Sequence, residues 1–471
     1  MKNIKIVLFF LFALSITAYC QKSFLGNWDG KIKMLTMDLK IHLNIINNDK
    51  NLEGHFSIPS QDLKDYILPN FSIIKNKIHF ELLSQSGIAK FDGNLMADSI
   101  KGTVVQAGIK GIFFLGRSKE HKNIQSTSPL PNEPLPYNED EIAFKSGQIL
   151  LSGTLTIPKE ENKYPAVILL TGNGPQSRDE DVSGFKIFQK IADYLTRHGI
   201  AVLRYDDRGV GGSTGNTMRS TTEDFANDAL AAIEFLKKQK NIDRTKIGLL
   251  GHSEGAMIAS IAASNSREVA FIVSMSGPGV PGADVLIEQQ KLILKTGNVP
   301  NNLIEQNLDL QRKINNALVT DKDLNNIRGD IEAFAEKDYA SLSANVRKSI
   351  KDKKAYINST VQSQIMIFNN PWFHFYAKYD PAEGWKKVNV PVLLLYGELD
   401  LQVPTNQNKP KVEEALAVSG NKNFKTVVFP KANHLYQLAT AGSPGEYSEL
   451  KKEFVPGFLD TISTWILNLI K

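Results

Sequence analysis

A serine that attacks a carbonyl needs a turn that exposes its hydroxyl, a base to take its proton, and donors for the developing charge. Residues 251–255 read Gly-His-Ser-Glu-Gly, which fits G-x-S-x-G with Ser253 at the centre. The pattern alone is weak, because glycine is common enough for it to arise by chance. Its setting strengthens it. Residues 246–250 are a short apolar run suited to a strand, and Gly255-Ala256-Met257-Ile258-Ala259 opens a small-residue helical run. Strand, sharp turn and helix lift such a serine above the C-terminal edge of a sheet. The flanking glycines are required where a strained turn leaves no room for Cβ atoms. The helix start behind the serine offers N–H groups and a positive dipole to an oxyanion.

In this setting the acid and the histidine follow the serine in that order. Only His374 and His434 lie downstream. His374, in Pro371-Trp372-Phe373-His374-Phe375, reads as aromatic core or pocket wall. His434 follows a strand-like run at 424–429, in the loop Lys431-Ala432-Asn433-His434, the place for a general base. Residues 393–400 read Leu-Leu-Leu-Tyr-Gly-Glu-Leu-Asp. Asp400, in the turn past the strand, is the preferred acid, with Glu398 as fallback and Asp380 third. The second oxyanion donor is expected from the loop Thr171-Gly172-Asn173-Gly174-Pro175, as the N–H of Asn173 paired with that of Glu254. A plain turn is the alternative there. Residues 206–213, Asp-Asp-Arg-Gly-Val-Gly-Gly-Ser, miss the dinucleotide pattern because position 214 is Thr, and read instead as a turn braced by an Asp–Arg pair. No P-loop, H-E-x-x-H or EF-hand pattern occurs, so neither a metal site nor a cofactor is expected.

The elements that must hold these residues follow from hydrophobic period. After residue 140 the rhythm is strand, helix, strand, helix, which marks a mostly parallel sheet. Strands are expected at 142–144, 149–158, 166–170, 200–205, 246–250, 269–275, 390–396 and 424–429. Helices are expected at 185–198, from a Ser220-x-x-Glu223 capping box to 237, and at 454–469. Residues 282–387 read mainly as helices, a cap inserted into the sheet domain. Residues 24–118 read as all-β: from Leu35 to Ile45 apolar and polar residues alternate without a break. More short runs with Asn, Asp, Gly and Pro turns follow, pointing to a small antiparallel sandwich or barrel at 21–118. Pro129, Pro131, Pro134 and Pro136 mark a linker at 119–140.

The chain has 471 residues, with 42% hydrophobic and 22% charged, which excludes a disordered chain. Its net charge of +5 is too small for a nucleic-acid footprint, and no basic run is present. Lys2 and Lys5, the apolar run 6–16 and Ala18-Tyr19-Cys20 read as a signal peptide cleaved before Gln21. The run is too short to span a bilayer, so an exported, periplasmic or secreted protein without stable membrane insertion is expected. Cys20 is the only cysteine; a lipid-modified Cys20 is the alternative, which the bulky Tyr19 fits poorly. Disulfides and thiol nucleophiles are thereby excluded from the mature chain.

From about residue 140 onward the chain resembles the α/β-hydrolase superfamily. The resemblance rests on Gly251–Gly255, on Tyr-Gly-Glu-Leu-Asp-Leu-Gln-Val-Pro at 396–404 and on Asn433-His434, in the right order. Residues 204–213, Thr-Gly-Asn-Gly-Pro-Gln-Ser-Arg-Asp at 171–179, and Pro371-Trp372-Phe373 before Tyr379-Asp380-Pro381 resemble a bacterial branch related to serine aminopeptidase-like and carboxylesterase proteins. The resemblance implies a Ser253, Asp400, His434 triad under a helical cap, with Trp372 and Phe373 as candidate pocket residues. It does not identify the substrate, since this fold hosts many chemistries; hydrolysis of a small-molecule ester by acyl transfer to water is the expectation. A peptidase or aminopeptidase, a thioesterase and a catalytically silent binding protein are the alternatives. Glycan or lipid contact is one reading of the β domain, and a structural role is the other.

Overall fold

The computed structural model describes residues 24–34, 37–48, 51–58, 63–68, 70–84, 87–106, 109–118, 135–341, 347 and 352–469. The expected signal peptide, with Cys20, and most of the expected Pro-rich linker lie outside them. The chain divides into two compact units. One comprises residues 1–132 with 325–367, and the other 133–324 with 368–471.

The first unit carries nine antiparallel strands: β1 (Gly26–Met34), β2 (Met37–Asn48), β3 (Asn51–Ile58), β4 (Leu63–Ile67), β5 (Ser72–Ile74), β6 (Lys77–Ser84), β7 (Gly87–Met96), β8 (Ser99–Gln106) and β9 (Ile109–Arg117). They form one sheet in the order β4-β3-β2-β1-β9-β8-β7-β6-β5. Leu35 and Thr36 of the predicted alternating run lie outside the described residues, and from Met37 the run is β2, with Ile41, Leu43 and Ile45 buried and Lys40 exposed. Strands β3 and β6 are six places apart, about 29 Å in a flat sheet at about 4.8 Å per strand. Yet the rings of Phe56 on β3 and Phe80 on β6 lie 5.5 Å apart. The sheet therefore curls over on itself into a half-barrel, with β4 and β5 at its two edges. Phe56, Phe80, Phe91 and Phe113 fill its interior as a ring-on-ring cluster.

The second unit is built on an eight-stranded sheet. Its strands are β10 (Tyr137–Ser146), β11 (Ile149–Pro158), β12 (Tyr164–Leu170), β15 (Ala201–Tyr205), β16 (Ile242–His252), β17 (Ile272–Met275), β18 (Val392–Gly397) and β19 (Phe424–Phe429). A two-residue hairpin, β13 (Asp181–Val182) with β14 (Phe185–Lys186), stands apart. The order is β10-β11-β15-β12-β16-β17-β18-β19. The first two pairings are antiparallel and the rest parallel. Strand β10 starts inside the predicted linker, where Tyr137 is buried and its hydroxyl donates to Asp193 at 2.7 Å.

Helices α1 (Ile187–Arg197), α2 (Thr222–Leu236) and α3 (Glu254–Asn265) connect the central strands. Alternate residues of β12 feed opposite faces: Ala166, Ile168 and Leu170 join one core, Val167 and Leu169 the other. Burial on both faces explains why these strands read as unbroken apolar runs. Helix α2 corrects one expectation. Its capping box is Thr221 with Asp224, and Thr221 has the extended backbone that a cap requires. Ser220 instead supports Arg208 and donates to the Asn216 carbonyl.

The predicted helical excursion contains α4 (Gly282–Thr296), α5 (Asn301–Val319), α6 (Arg328–Ser341), α7 (Lys353–Phe368), α8 (Pro371–Lys378) and α9 (Pro381–Trp385). Of these, the stretch 325–367 groups with the first unit, while α4, α5, α8 and α9 belong to the second. Helix α10 (Thr405–Val418) follows β18. The last helix, α11 (Phe458–Leu469), starts four residues later than its hydrophobic period suggests, after Pro456 and the left-handed Gly457 at φ 77°.

Candidate active site

Strand β16 ends at His252 and α3 begins at Glu254, so Ser253 is the whole turn between them. Its backbone is left-handed, φ 53° and ψ −119°, a conformation that costs a non-glycine residue about 1–3 kcal/mol. The neighbouring glycines are sterically obligatory. A Cβ on Gly251 would lie 2.0 Å from the Gly255 carbonyl oxygen, and one on Gly255 would lie 2.0 Å from that of Leu170. The Ser253 N–H donates to Met275 on the adjacent strand at 2.8 Å, which fixes the turn. As the first residue of α3, Glu254 presents a backbone N–H that no helical carbonyl can take.

Past β18, Asp400 is 3% exposed. Its Oδ1 accepts the N–H groups of Gln402 and Val403, each at 2.9 Å. That leaves Oδ2 for His434 Nδ1, at 2.8 Å. The bond puts the proton of a neutral imidazole on Nδ1 and leaves Nε2 as the acceptor. The loop that carries His434 is tied by the Leu399 N–H to the Ala432 carbonyl, and by Asn433 Oδ1, which accepts from Leu435 and Gln437. The fallback acids are occupied elsewhere. Glu398 is exposed and accepts from the Lys431 N–H, and Asp380 caps α9. His374 faces Asn369 and Asp321, not Asp400.

Ser253 and His434 are linked through their neighbours. The His252 ring lies 4.6 Å, centre to centre, from the His434 ring, and its Nε2 bonds the His434 carbonyl at 3.0 Å. The 171–175 loop also comes to the serine: a Cβ on Gly172 would lie 3.4 Å from Ser253 Cβ. The Gly172 N–H is held by Glu180 Oε1 at 2.9 Å, so the next N–H along the loop is that of exposed Asn173. Asp207 pins the loop, accepting from the Thr171 hydroxyl and the Gln176 N–H, each at 2.8 Å. Burial lifts the Asp207 carboxyl well above its ordinary range, against the pull of these two bonds.

Three side chains were given no role from the sequence. Glu254 contributes a buried side chain as well as an N–H: its Oε1 accepts from the Thr222 hydroxyl and the Trp372 indole, both at 2.7 Å. Burial pushes this carboxyl from 4.5 up to about 7, and the two hydrogen bonds pull the other way. Trp372 therefore sits on the first turn of α3, stacked on Tyr376 and edge-on to Phe373. His252, merely a variable position of the serine motif, pairs with buried Glu180 at 2.9 Å. In the 206–213 turn the bracing arginine is Arg178, bound to both oxygens of Asp206. Arg208 turns away to Asp228. Among the described residues no cluster of His, Cys, Asp and Glu could hold a metal ion.

A mixed sheet of this strand order, with a serine at a left-handed strand-to-helix turn on its edge, is the α/β-hydrolase architecture. The family model described as serine aminopeptidase, S33, matches residues 183–336. Esterase EstD of Thermotoga maritima is 27% identical over 361 residues, covering 76% of this chain and 74% of that one. An uncharacterized 31.7 kDa Escherichia coli protein is 26% identical over 275 residues, 58% of this chain and 84% of its own. Among solved structures, the Pyrococcus furiosus esterase PF2001 aligns with a TM-score of 0.41 at 16% identity, covering 72% of this chain and 94% of its own. The chain has the α/β-hydrolase fold, resembles the serine aminopeptidase-like family over residues 183–336 and a bacterial esterase over three-quarters of its length, and is a hydrolase.

Proposed function

We propose that the protein is an exported serine esterase with Ser253 as nucleophile, His434 as base and Asp400 as the acid that orients it. The observation that carries this reading is the 2.8 Å His434–Asp400 bond beside a serine held at positive φ. His434 Nε2 takes the Ser253 proton as Oγ attacks the ester carbonyl. The oxyanion is held by the N–H groups of Glu254 and Asn173. The protonated His434 then delivers its proton to the leaving alkoxide, and the alcohol departs. Water attacks the acyl-serine with His434 again as base, and the acid is released. Asp400 stays ionised throughout and stabilises the imidazolium.

Likeness to a named esterase over three-quarters of the chain supports the ester preference. The family description, serine aminopeptidase, favours amide cleavage as the second reading, and parallel assays on p-nitrophenyl esters and aminoacyl amides separate the two. The Ser253→Ala variant is expected to lose p-nitrophenyl acetate hydrolysis by about 10⁴-fold or more; a wild-type rate in this variant would overturn the assignment. Export rests on the sequence of residues 1–20, and a mature N-terminus at Gln21 checks it.

A further inference from the structure

Resting on the serine-hydrolase reading, we infer that Glu180 and His252 form a second histidine–carboxylate couple, with His252 held as a doubly protonated imidazolium that fixes both loops of the catalytic site. With Glu180 as a carboxylate, the geometry requires two donors on one ring. His252 Nδ1 faces Glu180 Oε1 at 2.9 Å, and Nε2 faces the His434 main-chain oxygen at 3.0 Å. Both partners are acceptors. A neutral imidazole has one N–H, so one of these contacts would set lone pair against lone pair in a protein interior. His252 is 3% exposed and Glu180 2%, which leaves no room for bulk water to repair the mismatch.

Each end of the couple holds a piece of the reaction centre. Glu180 Oε1 accepts from Gly172 as well as from His252, and so anchors the loop that presents Asn173. His252 holds the carbonyl of His434 itself, and the two rings are in contact at 4.6 Å. The charged groups around the couple are Asp400 and the His434 ring beside His252, and Asp207 near Glu180. Burial works against the His252 proton. The Glu180 carboxylate, the His434 carbonyl and Asp400 together outweigh it and raise the imidazole above its ordinary value. Glu180 and His252 act through the loops they hold, as positioning residues.

Two measurements test this. In wild-type protein labelled with ¹⁵N-histidine, and assigned by comparison with His252→Gln, both His252 nitrogens should carry protons from about pH 6 to about pH 8. A neutral His252 in that range overturns the inference. In Glu180→Gln the carboxylate that retains the proton is gone, so burial strips it as pH rises. The kcat profile should gain a basic limb near neutrality that wild type lacks. The plateau kcat should fall about tenfold to a hundredfold, because about 1 Å of loop displacement suffices for a loss of that size, with KM changed about twofold or less. A profile of unchanged shape means the couple is merely structural and overturns the inference. Fluorophosphonate labelling of wild-type Ser253 separates the two readings. Labelling with an unchanged profile sinks the couple alone, whereas absence of labelling sinks the serine-hydrolase reading beneath it.

Discussion

The two units bury very different chemistry. Among the described residues of the rolled β sheet and its companion stretch 325–367, every buried side chain is hydrophobic. The α/β unit buries Glu180, Arg204, Asp206, Asp207, Asp228, His252, Glu254, Asp400 and His434. Several of them (Glu180, Asp206, Asp207, His252, Glu254, Asp400 and His434) sit in or beside the loops at the C-terminal ends of β12, β15, β16, β18 and β19. Buried charge opposes folding unless it is paired and hydrogen-bonded. A sheet that concentrates it along one edge, while leaving its two faces apolar, has given up stability at the place where perturbed groups do work. The half-barrel makes no such concession, and its cluster of four phenylalanines reads as packing.

That contrast can be broken at either end. The largest effect is expected from Asp400→Asn, which keeps the shape but removes the charge proposed to stabilise the imidazolium. Ester hydrolysis should fall about 10⁴-fold with the circular dichroism spectrum unchanged; a loss under tenfold would mean that Asp400 does not serve the base. Next comes Phe80→Ala in the half-barrel, which should cost about 3–5 kcal/mol in denaturant unfolding. The kcat of the folded protein should stay at the wild-type value, and a fall in kcat would place the half-barrel core in the catalytic account.

The smallest expected effect sharpens the contrast through pH. Glu254 has its carboxyl pushed up from 4.5 to about 7 by burial, offset in part by Thr222 and Trp372. Its proton is therefore retained on folding between those values. The stability it contributes is complete below 4.5 and disappears as pH rises through 7, a loss of about 3 kcal/mol. Glu254→Gln, which still accepts from Trp372, should lose less stability than wild type between pH 5 and pH 8 by about that amount. Equal slopes in denaturant titrations would refute the burial account of Glu254.

Much of this was legible in local sequence. The Gly251–Gly255 spacing is dictated by two 2.0 Å backbone approaches, and short-range sterics of that kind leave a mark in residue type. Asp400 is preferred to Glu398 because it lies further past the strand end, and there two backbone N–H groups orient it. The Glu180–His252 couple was not legible. Its members are 72 residues apart and meet only when the β13–β14 hairpin is laid against the end of β16. Strand β1 escaped notice for a different reason. Gly26, Asn27, Asp29 and Gly30 look like turn residues, yet Gly30 is there because a Cβ would lie 1.8 Å from the Phe114 carbonyl on β9. The capping box moved by one residue because Ser220 was already committed to Arg208 and Asn216, a tertiary demand that a local motif does not reveal.

The central claim is that Ser253, His434 and Asp400 form one reaction centre. Its most direct test is to quench p-nitrophenyl ester turnover in acid and map the trapped acyl group by peptide mass spectrometry. The account predicts the acyl group on Ser253, and none on the His434→Ala protein treated in the same way. An acyl group on another residue, or undiminished acylation of Ser253 without His434, would contradict it.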